Sequence, residues 1–152
     1  MQKVARFFKV SQKNFSGDIN SVILPRRATV GSAGYDFFAP CDITFAAGET
    51  KKIETGVRAK IENGFALFIF PRSGLGFKYR LMLDNTVGII DSDYYYSDNE
   101  GHIMIKMTNH SDKELTVKQG EAFAQGIFMP FYITEDDHAD GVRNGGFGST
   151  TK

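Results

Sequence analysis

Between residues 43 and 70, short runs of strand composition are cut by turn signals at Ala47-Gly48, Thr55-Gly56 and Asn63-Gly64. Turn pairs of this kind between apolar runs mark hairpins, and their spacing predicts an all-β sandwich or barrel. Further along, Ile103, Ile105 and Met107 alternate with Met104, Lys106 and Thr108. Period two puts the first set on a buried face and makes residues 101–109 the return strand of a hairpin. Residues 115–117 and 123–129 read as two more strands, divided by Lys118-Gln119-Gly120-Glu121. Residues 3–10 mix Val4, Phe7, Phe8 and Val10 with Lys and Arg, which suits an outer strand with one wet face. Strand character stops at Pro71-Arg72-Ser73-Gly74-Leu75-Gly76, where Phe77 to Tyr79 complete one short helix.

Two stretches depart from simple alternation. Residues 25–40 form a long irregular segment containing Gly31-Ser32-Ala33-Gly34-Tyr35-Asp36-Phe37-Phe38-Ala39. Its small residues let the backbone approach a neighbour closely before two aromatics return it to the core, leaving Asp36 beside a tight backbone. In Asn85-Thr86-Val87-Gly88-Ile89-Ile90-Asp91-Ser92-Asp93-Tyr94, β-branched residues run into two acids and a tyrosine. Val87, Ile89 and Ile90 anchor that strand, so Asp91 at its end faces a cavity, as a general base or water-orienting group would.

Length and charge narrow the class. At 152 residues, with 41% hydrophobic and 24% charged residues, the chain is a globular domain able to bury a core without staples. Eighteen basic residues balance eighteen acidic ones, so no general pull toward nucleic acid or membrane is expected and any polyanion must be held locally. Cys41 is the only cysteine, which excludes an intramolecular disulfide and a multi-cysteine metal site and fits a reducing cytoplasm. The apolar run at residues 65–70 is too short to cross a bilayer, and residues 1–10 lack the apolar core of a signal peptide. The expected compartment is the cytoplasm, that of a bacterial host if the gene is a phage's. His102, His110 and His138 share no zinc-ligand spacing and read as structural or surface residues. After Pro130 the chain turns acidic at Glu135, Asp136, Asp137 and Asp140, a solvated linker to a glycine- and serine-rich end that composition alone marks as disordered.

Taken singly, the polar stretches are ordinary: a polar hairpin turn at Asp91, a solvated arginine in Pro71-Arg72-Ser73-Gly74, a satisfied amide at Gln125, a loop-bracing acid at Asp36. Their order is not. Ala33-Gly34-Tyr35-Asp36, Pro71-Arg72-Ser73-Gly74-Leu75-Gly76, Gly88-Ile89-Ile90-Asp91-Ser92-Asp93-Tyr94, Gly120-Glu121-Ala122-Phe123-Ala124-Gln125 and Arg143-Asn144-Gly145-Gly146-Phe147-Gly148-Ser149-Thr150 together resemble the five ordered motifs of the trimeric deoxyuridine triphosphatase (dUTPase) family. The resemblance covers residues 24–150.

The resemblance implies a single-domain, jelly-roll-like β-barrel or sandwich spanning residues 1–152, with about residues 133–152 as linker and mobile C-terminal lid. It implies hydrolysis of dUTP to dUMP and pyrophosphate, limiting uracil in DNA and supplying dUMP for thymidylate synthesis. Water would attack the α-phosphorus, with Mg²⁺ held by the triphosphate. Asp91 matches the water-activating aspartate, which also bonds the sugar 3′-hydroxyl, and Tyr94 the tyrosine beneath the deoxyribose that leaves no room for a 2′-hydroxyl. Uracil would be read by backbone groups near Gly88, with the Asn85 side chain as a further partner. Arg72 would offer a planar fork to phosphate, while Ser73 and the N–H of Gly74 form an anion cradle at a helix start. Gln125 matches the glutamine that helps hold the attacking water or α-phosphate, and Asp36 the acid that bonds metal-bound waters. In the tail, Arg143 would clamp the γ-phosphate, Phe147 stack on uracil, and Ser149 and Thr150 with Gly146 and Gly148 donate to phosphate oxygens. The family pattern also implies a homotrimer whose sites draw motifs from three subunits, with no direct contact to nucleic acid or membrane. No Walker loop is present, because no Gly-Lys-Ser/Thr follows the glycines.

One departure stands out. Family members turn sharply after the third-motif tyrosine, whereas here Tyr95-Tyr96-Ser97-Asp98-Asn99-Glu100 intervenes before Gly101. The insertion reads either as a solvated loop tip or as a docking surface for a neighbouring subunit or partner protein. Two other functions fit the pattern less well. A dCTP deaminase-like enzyme would need a glutamate or equivalent against the base where Asp91 and Tyr94 stand, and a nucleotide-gated binding protein would use the ordering tail as a two-state element.

Overall fold

The computed structural model describes residues 1–143 and 145; of the expected linker and lid at residues 133–152, residues 144 and 146–152 lie outside them. In chain order the strands are β1 (Ala5–Lys9), β2 (Arg26–Arg27), β3 (Tyr35–Phe38), β4 (Ile43–Phe45), β5 (Thr50–Glu54), β6 (Val57–Ile61) and β7 (Phe65–Pro71). The single α-helix among the described residues, α1 (Ser73–Tyr79), follows, and then β8 (Leu81–Leu83), β9 (Gly88–Ile90), β10 (Met104–Asn109), β11 (Leu115–Val117) and β12 (Ala122–Pro130). The fold is an all-β jelly roll built from a five-stranded sheet in the order β2-β3-β12-β7-β9, a three-stranded sheet β5-β10-β8 and two strand pairs, β1-β6 and β11-β4.

The predicted turns fall where expected, with Gly48, Gly56 and Gly64 at φ of +74°, +69° and +86°. The apolar run at residues 65–70 is β7, held on both edges by β12 and β9, and a strand so enclosed reads as nearly continuous hydrophobics. Phe37, Phe45, Leu67, Ile69, Leu81, Ile103, Met107 and Phe123, drawn from along the chain, are fully buried in one cluster. Each such side chain contributes about 1.5–3 kcal/mol on leaving water. The predicted alternation in β10 is observed: Ile105 and Met107 are buried, Lys106 is exposed.

The expectation for residues 85–109 needs correcting. Before β10 only Gly88–Ile90 is strand, and Ser92–Tyr96 is a 3-10 turn. β9 and β10 are consecutive in the chain yet do not pair: β9 lies on β7, with Gly88 opposite Ile69, while β10 lies between β5 and β8. Gly88 crosses Ile69 so closely that a Cβ there would stand 3.2 Å from Ile69 Cβ, which commits β9 to the β7 side. The two sheets therefore diverge between β9 and β10.

Candidate functional site

That divergence opens a cavity of about 680 Å³, lined among others by Asn85, Gly88, Asp91, Tyr94, Lys106 and Arg143. β9 is the last strand of its sheet, so one row of its backbone N–H and C=O groups is left without a strand partner and opens on the cavity. Asp91 precedes the 3-10 turn with its side chain 47% exposed, which agrees with the expectation that it faces a cavity. Tyr94 is buried beneath it; its hydroxyl donates to the carbonyl of His102 at 2.8 Å. Burial pushes the Tyr94 phenol above its ordinary value, outweighing the opposing Asn99 hydrogen bond and Arg143 charge, so the ring stays neutral. At the other wall Asp84 accepts from Thr108 at 2.6 Å and pairs with Lys106 at 3.2 Å, and the Thr108 hydroxyl is the main cause holding its carboxyl below the usual range.

Arg143 reaches this cavity from the end of the described chain. Its Nε donates to Asp93 Oδ1 at 2.8 Å, its Nη2 donates to Asp91 Oδ2, and its guanidinium carbon lies 5.9 Å from the Tyr94 ring centre. The part Asp93 plays in holding Arg143 was not foreseen from the sequence, although its place two residues after Asp91 was the available signal.

Asp36, Arg72, Ser73, Gly74 and Gln125 belong to a second cluster. Arg72 Nη1 donates to Asp36 Oδ2 at 3.0 Å, and Gln125 Nε2 donates to the carbonyl of Pro71 at 3.1 Å. Strand register brings them together: on β12, Gln125 is opposite Asp36 of β3 on one side and Phe70 of β7 on the other. Gly34 completes the packing, since a Cβ there would lie 2.6 Å from Gln125 Oε1. Ser73 and Gly74 are exposed at the start of α1, and no side chain caps that end, so its first N–H groups stay free.

The two clusters do not meet within one chain. Asp91 follows Ile90, which pairs with Leu67 near the start of β7, whereas Arg72 follows Pro71 at the end of β7. About five strand residues separate the two positions, some 15–20 Å at ordinary strand rise. The expected residues Phe147, Gly148 and Ser149 lie outside the described residues, as do Gly146 and Thr150. Among the described residues no three His, Cys, Asp or Glu side chains are grouped to hold a metal ion, and no helix is long and apolar enough to cross a membrane.

The insertion is neither a solvated tip nor a free docking surface along its whole length. Arg58 lies 3.7 Å from the Tyr95 ring centre and donates to the Tyr95 carbonyl at 2.6 Å, and Ser97, Gly101 and His102 are buried. Glu100 accepts from the Ser11 N–H and hydroxyl at 2.8 and 2.7 Å. Tyr96 is the insertion's outward ring, 69% exposed.

Comparison with known proteins agrees with this geometry. The family model described as dUTPase matches residues 20–151. The deoxyuridine 5'-triphosphate nucleotidohydrolase of Lactococcus lactis is 43% identical over 148 residues, covering 95% of this chain and 97% of that protein. The crystal structure of dUTPase from Streptococcus mutans superimposes with a TM-score of 0.73 at 36% identity, covering 85% of this chain and 98% of the other. A mutant dUTPase from phage phi11 of S. aureus, described with a structural Mg(II) ion, has a TM-score of 0.70 at 19% identity over 91% of this chain and 98% of its own, a likeness of fold.

Proposed function

The chain belongs to the dUTPase family, and from that premise we propose that it hydrolyses dUTP to dUMP and pyrophosphate by attack of water on the α-phosphorus. The observation that carries the reading is the cavity in which Asp91, the buried ring of Tyr94 and the free edge of β9 face one another. The edge groups near Gly88, with Asn85, bond the uracil as a strand would bond its neighbour. Tyr94 lies under the deoxyribose and leaves no room for a 2′-hydroxyl. The Asp91 carboxylate orients the attacking water and accepts its proton. On entry of nucleotide, Arg143 exchanges the carboxylates of Asp91 and Asp93 for phosphate oxygens, which frees Asp91 to act as base.

Arg72, Ser73, the Gly74 N–H and Gln125 bind the phosphates and the water. Because Asp91 and Arg72 lie near opposite ends of β7, a single chain does not bring both to one triphosphate, and this separation supports a homotrimer with sites shared between copies. Residues 133–152 then act as linker and lid, with Phe147, Gly148 and Ser149 closing over the nucleotide. The residues present fit Mg²⁺ only in the manner of a substrate-borne ion: no protein cage is formed among the described residues, but Asp36 has one oxygen on Arg72 and a second available to metal-bound water. Bound there, the ion would neutralise charge on the triphosphate. A cytoplasmic site of action follows from the nucleotide pool that such an enzyme would control.

The test is pyrophosphate release with Mg²⁺ from dUTP, dTTP, UTP and dCTP in parallel, with ammonia release from dCTP measured alongside. Release from dUTP alone is expected. Release from none, or ammonia from dCTP, overturns the reading.

A further inference from the structure

The insertion after Tyr94 ends in a closed set of hydrogen bonds around that tyrosine. Asn99 Oδ1 accepts the Gly101 N–H at 3.1 Å, which fixes the orientation of the amide and leaves Nδ2 to donate to the Tyr94 hydroxyl at 2.8 Å. The phenol donates its own hydrogen bond to the carbonyl of His102, and the His102 N–H donates back to the carbonyl of Asn99 at 3.2 Å. His102 is itself anchored, 1% exposed, by accepting the Gly56 N–H on Nε2 at 2.8 Å. Gly101 closes the loop against the tyrosine: at φ +69° a Cβ there would meet the Tyr94 carbonyl oxygen at 2.6 Å. The tyrosine hydroxyl is therefore engaged as acceptor by Asn99 of the insertion and as donor by His102 just beyond it, and a buried phenol with both hydrogen-bonding capacities filled has one orientation.

We propose that Asn99 is a positioning residue, acting through its amide on the Tyr94 phenol, so that the insertion sets how strictly the pocket rejects a ribonucleotide. The proposal rests on the reading of Tyr94 as the floor of the sugar site and deepens it. A ring tethered at its hydroxyl resists the tilt that a 2′-hydroxyl would demand, whereas a ring released at that end yields. Asn99 lies outside the cavity lining, so its effect reaches substrate only through Tyr94.

The experiment compares wild type, Asn99→Ala, Tyr94→Phe and the double variant, reading kcat/KM for dUTP and for UTP with thermal melting. Asn99→Ala removes the donor to the phenol and, unlike an aspartate, leaves no carboxylate to which the phenol could donate instead. It is expected to lower the dUTP-to-UTP ratio about tenfold, the scale of one buried hydrogen bond. The loss should come mainly through gain with UTP. In the Tyr94→Phe background the same substitution should change the ratio less than twofold, because the contact is already gone. An unchanged ratio in Asn99→Ala, or an equal fall with and without the Tyr94 hydroxyl, overturns the proposal while dUTP turnover stands. Activities on dUTP and UTP that fall by the same factor, in step with folded protein lost on melting, also overturn it, and Asn99→Ser repeats the comparison if the alanine variant does not fold. Absence of dUTP turnover in wild type would sink both readings, and is told apart by the first assay alone.

Discussion

Arg72, just past the end of β7, and Asp36, within β3, lie 36 residues apart and form an ion pair at 3.0 Å. The arginine side chain is 40% exposed and the aspartate 16%. An ion pair with one partner this wet contributes at most about 1 kcal/mol to stability, so the guanidinium is held ready for a better anion rather than locked.

Arg72→Ala should therefore lower kcat/KM for dUTP by about 10²–10³, the scale of a lost donor to developing phosphate charge. Urea unfolding should change by no more than about 1 kcal/mol. A large fall in stability with proportionate loss of activity would make Arg72 a structural residue.

Gly34→Ala directs a methyl group at Gln125 Oε1, 2.6 Å away. The clash is with the end of a flexible side chain, so the fold should persist while the amide swings off the Pro71 carbonyl. We expect turnover to fall about tenfold, consistent with one misplaced polar contact, with melting near wild type. Full activity would show that Gln125 needs no fixed position.

Ending the chain after Val142 removes the guanidinium from Asp91 and Asp93. The last buried core residues described are Phe123 and Ala124, so melting should be little changed. Turnover should drop at least about a hundredfold, because neither lid nor clamp remains. Retained full activity in the truncated protein would eliminate the lid.

Stability should depend on pH through His102. Burial pushes its imidazole below the ordinary value of 6.5, against the raising effect of Glu54. Above that value both folded and unfolded chains carry neutral imidazole. Below it the unfolded chain binds a proton that the folded one resists, so stability falls as pH drops, by about 1.4 kcal/mol for each unit of depression. Protonation of Nε2 would also remove the acceptor for the Gly56 N–H. Melting of wild type and His102→Gln at pH about 7.5 and about 5.5 should show the smaller pH effect in the variant. Equal shifts would assign the effect elsewhere. Glu54 and Glu100, held below their ordinary 4.5 chiefly by backbone N–H groups of Ser16 and Ser11, add a loss of the same sign only in more acid solution.

Much of the architecture is local information. Glycines at residues 48, 56 and 64 mark turns because the backbone there needs positive φ, and alternation in β10 marks a buried face because side chains alternate across a strand. The helix at Ser73–Tyr79 begins where Pro71 ends β7. The ordered motifs also identified the polar residues that gather around the β7 sheet.

Pairing was not legible. Residues 85–109 look like one hairpin, but alternation says only which face of a strand is buried, and backbone hydrogen bonds are alike for any partner. Gly88 against Ile69 sends β9 to β7, and the resulting gap is the cavity. The insertion was only partly legible for a related reason: Asn99 and His102 are polar, yet the fold supplies the phenol, carbonyl and N–H groups that satisfy them away from water. The sequence by itself determined the strands, the turns and the family's motifs, because propensity and period act over a few residues. Only the tertiary structure decided which strands pair, that Arg72 meets Asp36 and Arg143 meets Asp91, and that Asn99 tethers Tyr94, because those contacts depend on where distant segments of the chain come together.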